Sequence, residues 1–206
     1  MIAGYNPDMT RYSRREMLAA SAALFASRLA ALPLEQIKLG ILTDEIDDDV
    51  LTAAKFLQQY HLKWAEIRNI WGPYNTSQPM DKIREANRIL DEHGVRVSVE
   101  GTGFFKIPLP PEGPEGQKAL DEQWKLLDTA MERAKAFGTD KLRIFTFMLR
   151  KGETPSQKSY ARIDELVREA ARRAKGYRLC VENIGGGHVW SGVQAGEFLK
   201  RVTATW

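Results

Sequence analysis

Leu179-Cys180-Val181-Glu182-Asn183, followed by Ile184-Gly185-Gly186-Gly187-His188, decides how the chain reads. The first five residues predict a short buried strand ending in a carboxylate, and the next five a glycine-rich turn. Ser191 and Gln194 then stand at the Ser-x-x-Gln spacing of a capping box, which predicts a helix start. A parallel α/β protein presents its chemistry in this order, with polar residues at the strand ends. Alternation along the strand puts Cys180 and Glu182 on one face and Leu179 and Val181 on the other.

The same unit repeats upstream. Strands are expected at 38–42, 64–68, 96–100, 141–145 and 178–182, each followed by a helical stretch at about 49–60, 80–92, 118–137, 159–175 and 193–202. Gly138 and Gly176 close two of these helices. The acidic run Asp47-Asp48-Asp49 suits a helix N-terminus, where the dipole favours negative charge; a metal site is the competing reading. Repeated βα units imply a parallel sheet covered by helices. An open doubly wound sheet and a (β/α)8 barrel both fit that description. No Gly-x-Gly-x-x-Gly follows the first strand, as it would in a dinucleotide-binding open sheet. Polar residues end several strands instead, as in barrel enzymes. The expected fold is therefore α/β, a partial (β/α)8 barrel of about five βα units over residues 35–206. Its first and fifth strands would be bare edges, which a solitary chain tolerates poorly, so the barrel reads as incomplete; a homo-oligomer is a separate expectation.

Composition bounds the rest. With 43% hydrophobic and 28% charged residues the chain is globular rather than disordered. The net charge is +3. Much of that excess lies in residues 1–34, where Arg11, Arg14, Arg15 and Arg28 face only Asp8 and Glu16. The remainder is nearly balanced and gives no reason to expect a nucleic-acid partner. Residues 1–34 read as targeting: Ser13-Arg14-Arg15-Glu16-Met17-Leu18 followed by the alanine-rich run from Ala19 to Ala31 is similar to a twin-arginine export signal. That predicts a periplasmic or exported protein, and a cytoplasmic one if the segment is an amphipathic helix instead. The run is too short and mild for a membrane span. Cys180, the lone cysteine, excludes an internal disulfide and reads as a small buried hydrophobe.

Parity places the chemistry. Ser98 and Glu100 share a face opposite Val97 and Val99, and Glu66 lies opposite Ile67. If the polar set points to the barrel axis, Glu66, Glu100 and Glu182 gather at one rim. Buried carboxylates need a cation or a polar ligand among them. Ala65-Glu66-Ile67-Arg68, Leu142-Arg143-Ile144 and Val181-Glu182-Asn183 resemble the landmarks of the xylose-isomerase-like TIM barrels, from about Lys38 onward. That family holds sugar and sugar-phosphate isomerases and epimerases and the type-2 AP endonucleases. The resemblance implies that Glu182 is both a divalent-metal ligand (Mn²⁺ or Mg²⁺, alternatively Zn²⁺) and the acid/base at the sugar carbon. The other family ligands come from strands six to eight, beyond these five units.

The implied reaction is metal-dependent isomerisation or epimerisation of a sugar or polyol-like small molecule, by proton transfer next to a carbonyl. Glu66, Glu100, His188 and Trp71 are the candidate substrate-binding residues. Each has a plainer alternative. Glu182 could cap or pair with a loop cation, and Glu66 could pair with Arg68 or Arg143. His188 could be a solvated loop residue, and Trp71 with Tyr74 could simply pack over the barrel mouth. A non-catalytic barrel that binds a sugar-like ligand is the second functional reading. A nuclease is the third, disfavoured because histidines are missing at the second and third strand ends.

Overall fold

In a computed structural model that describes residues 38–203, five parallel strands lie side by side in strict chain order. They are β1 (Gly40–Leu42), β2 (Trp64–Ile67), β3 (Arg96–Gly101), β4 (Lys141–Ile144) and β5 (Arg178–Val181). Each is followed by a helix: α1 (Val50–Gln59), α2 (Met80–Glu92), α3 (Pro114–Phe137), α4 (Gln157–Arg173) and α5 (Gly192–Thr203). All but Lys38 of the described residues belong to one compact unit, Leu39–Trp206. The proposed export signal at 1–34 lies outside the described residues. Among the described residues no helix is long and apolar enough to cross a membrane.

Sequential strand order decides between the two architectures. A doubly wound sheet reverses direction at a switch point, whereas a barrel adds each strand beside the last. The order here never reverses, so the chain forms part of a (β/α)8 barrel.

Residues paired in register between parallel strands point to the same side, so the ladder assigns each side chain to a face. Ala65, Ile67, Val97, Leu142 and Ile144 are buried and pack toward the helices. The core forms two clusters in that layer. One gathers β2 and β3 with α1 and α2, around Leu57, Ile67, Ile83 and Leu90. The other gathers β4 with α3, α4 and α5, around Leu127, Leu142, Ile163 and Phe198. The face toward the barrel axis carries Trp64, Glu66, Arg143 and Cys180.

Two local features depart from the sequence expectation. The fifth strand is not buried: Arg178 is exposed and Leu179, Cys180 and Val181 are half-buried, because among the described residues no strand pairs with its outer edge. The second is a bulge in β3. Ala65 pairs with Val97, but Glu66 pairs with Val99, so Ser98 is the extra residue. Its hydroxyl donates to the Ala65 carbonyl (2.9 Å), and its own carbonyl accepts from the Thr139 hydroxyl (2.8 Å). Beyond the bulge the parity of β3 is inverted.

The Asp47–Asp49 run serves a helix N-terminus, as expected. Asp49 caps α1 through Oδ2, which accepts from the Thr52 backbone N–H (3.0 Å) and hydroxyl (2.9 Å). Its Oδ1 accepts from the Trp71 indole N–H (3.1 Å). These bonds, the Thr52 backbone N–H first, hold the Asp49 carboxyl below its ordinary range. Asp49→Ala should cost about 1–2 kcal/mol in urea unfolding, the upper end of a lost N-cap, because one side chain ties both the helix and the loop after β2.

Candidate active site at the strand ends

Five charged side chains, on or just after four of the five strands, meet at the C-terminal rim. Asp44, in the turn after β1, accepts from Arg68 Nε (2.8 Å) and lies 2.7 Å from its Nη2. Arg68 directly follows β2. Arg143 of β4 lies between Glu66 of β2 and Glu182, the residue after β5, with Nη1 at 3.2 Å from Glu66 Oε1 and 2.8 Å from Glu182 Oε2. The Glu182 backbone N–H donates to the Ile144 carbonyl (2.9 Å), so the ladder continues one residue past β5 and aims Glu182 at the axis.

Gly101 makes this convergence possible. It pairs with Arg143 on the same face, and a Cβ built there would stand 2.9 Å from Glu66 Oε1 and 3.1 Å from both Arg143 Nη2 and Arg68 Cβ. Any side chain at 101 would fill the space the ion pairs occupy.

Two carboxylates share one guanidinium. Glu66 is pushed above the ordinary carboxylate range, first by burial and further by the like charge of Glu182, against the pull of Arg143. The cluster is thus short of positive charge, and its carboxylates differ in surroundings: Glu66 is 27% exposed and Glu182 34%.

Glu182 and Glu66 come together as the parity of their strands requires. Glu100 does not join them on that face. The β3 bulge pairs it with Ile67 and Leu142, both helix-facing, and it is wholly buried with neither oxygen hydrogen-bonded. Burial pushes its carboxyl up to about 8, opposed by the Asn75 amide beside it and by Arg143 and Arg133. Asn75 itself ties the strand ends, its Nδ2 donating to the carbonyls of Ile67, Arg68 and Gly101 at 3.0 to 3.2 Å.

His188 is not a solvated loop residue. It is fully buried, with its backbone N–H and Nδ1 both against the Phe147 carbonyl (3.0 and 3.2 Å), while Nε2 has no hydrogen bond and lies 3.9 Å from Glu153. It anchors the loop after β5 to the loop after β4. Trp71 is engaged outside the ion-pair cluster: its indole is held by Asp49 and its ring faces Lys82, with the ammonium 5.0 Å from the centroid. Tyr74 of the same loop is the aromatic that approaches Gly103, next to the strand ends. Cys180 faces the axis beside Arg143, and burial pushes its thiol up, which suits an inert side chain.

Arg143 and the Asp44–Arg68 pair are the residues the sequence reading left in the background. One signal for Arg143 was present: it is the only polar position in Leu142-Arg143-Ile144, on the parity that aims Glu66 and Glu182 inward.

Parallel strands in sequential order with charged residues at their C-terminal ends define the α/β-barrel class. Residues 55–206 match the family described as xylose isomerase-like TIM barrel, and the chain belongs to that family. No curated protein matches it. Among solved structures it is similar to D-allulose 3-epimerase from Methylomonas sp. in complex with D-allulose, at 17% identity and TM-score 0.62, over 81% of this chain and 59% of that one. It is also similar to the 3-keto-D-glucoside 4-epimerase YcjR from E. coli (11%, TM-score 0.58, 82% and 65%). A third is a xylose isomerase-like TIM barrel protein from Mycobacterium smegmatis in complex with magnesium (15%, TM-score 0.55, 80% and 60%). At these identities the likeness shows the fold. The chain spans less than two thirds of the length of each.

Proposed function

We propose that this chain carries the proton-transfer side of a sugar or sugar-derivative isomerase or epimerase, with Glu182 as the acid/base. The observation that carries the reading is the position of Glu182: one residue past β5, on the axis face, sharing Arg143 with Glu66. Two solved relatives are epimerases of sugars, which supports the substrate class.

The chemistry follows from the arrangement. A carboxylate at Glu182 takes the proton from the carbon beside a substrate carbonyl. Isomerisation returns it to the neighbouring carbon while that carbon's hydroxyl proton passes to the former carbonyl oxygen; epimerisation instead requires a second acid on the opposite face of the sugar. Glu66, pushed above the ordinary carboxylate range by burial and by Glu182, lies on the same rim, where its oxygens can accept from a substrate hydroxyl. Arg143 keeps the two carboxylates at fixed separation. Tyr74 stands where a sugar face would pass.

The magnesium complex of the Mycobacterium smegmatis relative supports a divalent ion as part of such a site. The described residues do not supply its shell. No three His, Cys, Asp or Glu side chains converge among them, and Arg143 already stands between the two carboxylates available. The proton steps therefore rest on the chain's own carboxylates.

That donor count favours a second reading, a chain that binds a sugar-like ligand without turning it over. One experiment separates the two. The chain is incubated in D₂O with a panel of ketohexoses, with and without Mg²⁺ or Mn²⁺, and each sugar is analysed by mass spectrometry for deuterium at carbon. Incorporation into any sugar supports the isomerase or epimerase reading. Sugars that raise the melting temperature but gain no deuterium establish the second reading in its place. Neither effect in a folded chain overturns both.

A further inference from the structure

The disagreement between the family expectation of a metal at Glu182 and the residues present turns on Arg143. Its side chain is only 9% exposed, and Nη1 alone meets both carboxylates, while Nε and Nη2 have no hydrogen-bond partner. The guanidinium lies 5.3 Å from the Phe145 ring centroid, and the missing side chain of Gly101 leaves room for Nη2. The buried oxygens that face it, Glu66 Oε1 and Glu182 Oε2, also lack hydrogen bonds of good geometry. A divalent ion would need those lone pairs at about 2.0–2.2 Å. A guanidinium nitrogen 2.8 Å from Glu182 Oε2 occupies that approach, and its charge repels the ion.

We propose that Arg143 is a resident cation that holds the Glu66–Glu182 pair together and, in the place a divalent ion would approach, weakens the binding of such an ion. The role is that of a positioning residue. It deepens the functional reading above and rests on it only for Glu182 as the strand-end carboxylate. The test reads ion binding rather than turnover, so the two can fail separately.

Mn²⁺ binding to the 206-residue chain is measured by electron paramagnetic resonance and calorimetry for the parent, Arg143→Met, Arg143→Gln and Arg143→Met/Glu182→Gln. Arg178→Met is the control, since it removes the same charge from an exposed side chain paired with Asp140. Removing a cation within ion-pair reach of both carboxylates should tighten Mn²⁺ binding by about tenfold or more. Mn²⁺ should also raise the melting temperature of Arg143→Met. The double variant should lose the gain, and Arg178→Met should bind as the parent does. Equal affinity in the parent and Arg143→Met overturns the proposal, as does a gain that survives Glu182→Gln. If Arg143→Met does not fold even with Mn²⁺ present, Arg143→Gln decides: its amide is neutral yet can still donate to a carboxylate. Tighter binding than in the parent supports the proposal, and unchanged binding ends it.

Discussion

On the proposed isomerase or epimerase reading, the Glu182→Gln chain is expected to lose deuterium incorporation into a ketohexose by about 10³-fold, within the range for removing a general acid/base, while unfolding near the parent temperature. Glutamine has the shape of glutamate, so the rim is not opened, but its amide cannot accept the proton from carbon. Stability should hold because the cluster carries two carboxylates against one guanidinium. After the substitution Arg143 still pairs with Glu66, and the like-charge contact that raises Glu66 is gone. Sugar binding, read as a rise in melting temperature, should change far less than exchange. The contrary result is clear: a folded Glu182→Gln chain that exchanges deuterium at the parent rate removes Glu182 from the chemistry, whatever the substrate.

Sequence alone carried the element order and type, because each unit has a strong apolar run and a longer amphipathic stretch. The capping box before α5 was legible in the same way: Ser191 Oγ accepts from the Gln194 backbone N–H (3.3 Å), and Gln194 Oε1 accepts from the Ser191 N–H (3.2 Å). Where a helix began at a turn signal, the reading ran late. α3 starts at Pro114, four positions before the expected Lys118, since proline is at ease in the first helical turn and Gly113 before it takes φ 103°.

The site was half legible for a related reason. Parity from a regular strand placed Glu66 and Glu182 correctly, but nothing in Arg96-Val97-Ser98-Val99-Glu100 announces a bulge. That one inserted residue moved Glu100 to the helix layer. Pairings across strands could not be read at all. Arg68 and Arg143 were both available to Glu66, and only the fold shows that Asp44 takes the first. The burial of His188 likewise depends on long-range contact. Phe147, held at φ 64° and stacked 4.1 Å from Phe105, turns its carbonyl toward the histidine. A bulky residue in the left-handed region is rare and persists only where its surroundings fix it.

Glu100 leads to the second large effect, a stability that falls as pH rises. Its carboxyl is pushed from 4.5 to about 8, mainly by burial. Between those values the unfolded chain has released the proton and the folded chain has kept it. The unfolded state therefore binds fewer protons, and the stability of the fold declines as the pH climbs. The window opens near 4.5, below which both states are protonated, and closes near 8, above which the deficit is constant. Arg143 and Arg133 oppose the rise and Glu66 adds to it, so the charged groups around Glu100 do not remove the burial cost. Each pH unit inside the window removes roughly 1.4 kcal/mol. The full deficit is then on the order of several kcal/mol, a large share of a domain's stability. Glu100→Gln removes the ionisable proton and keeps the volume. It should leave stability at about pH 4.5 nearly unchanged and raise it by on the order of 2 kcal/mol or more at about pH 8, flattening the profile between. Urea unfolding of both chains from about pH 4.5 to about pH 9 reads this directly. Parallel profiles would mean that Glu100 ionises in the fold as easily as in the unfolded chain, with a water or ion reaching it from the strand ends. Profiles that converge toward acid would show a carboxylic acid kept neutral behind the rim on which Glu182 meets Arg143, set apart from that ion pair by one bulged residue in β3.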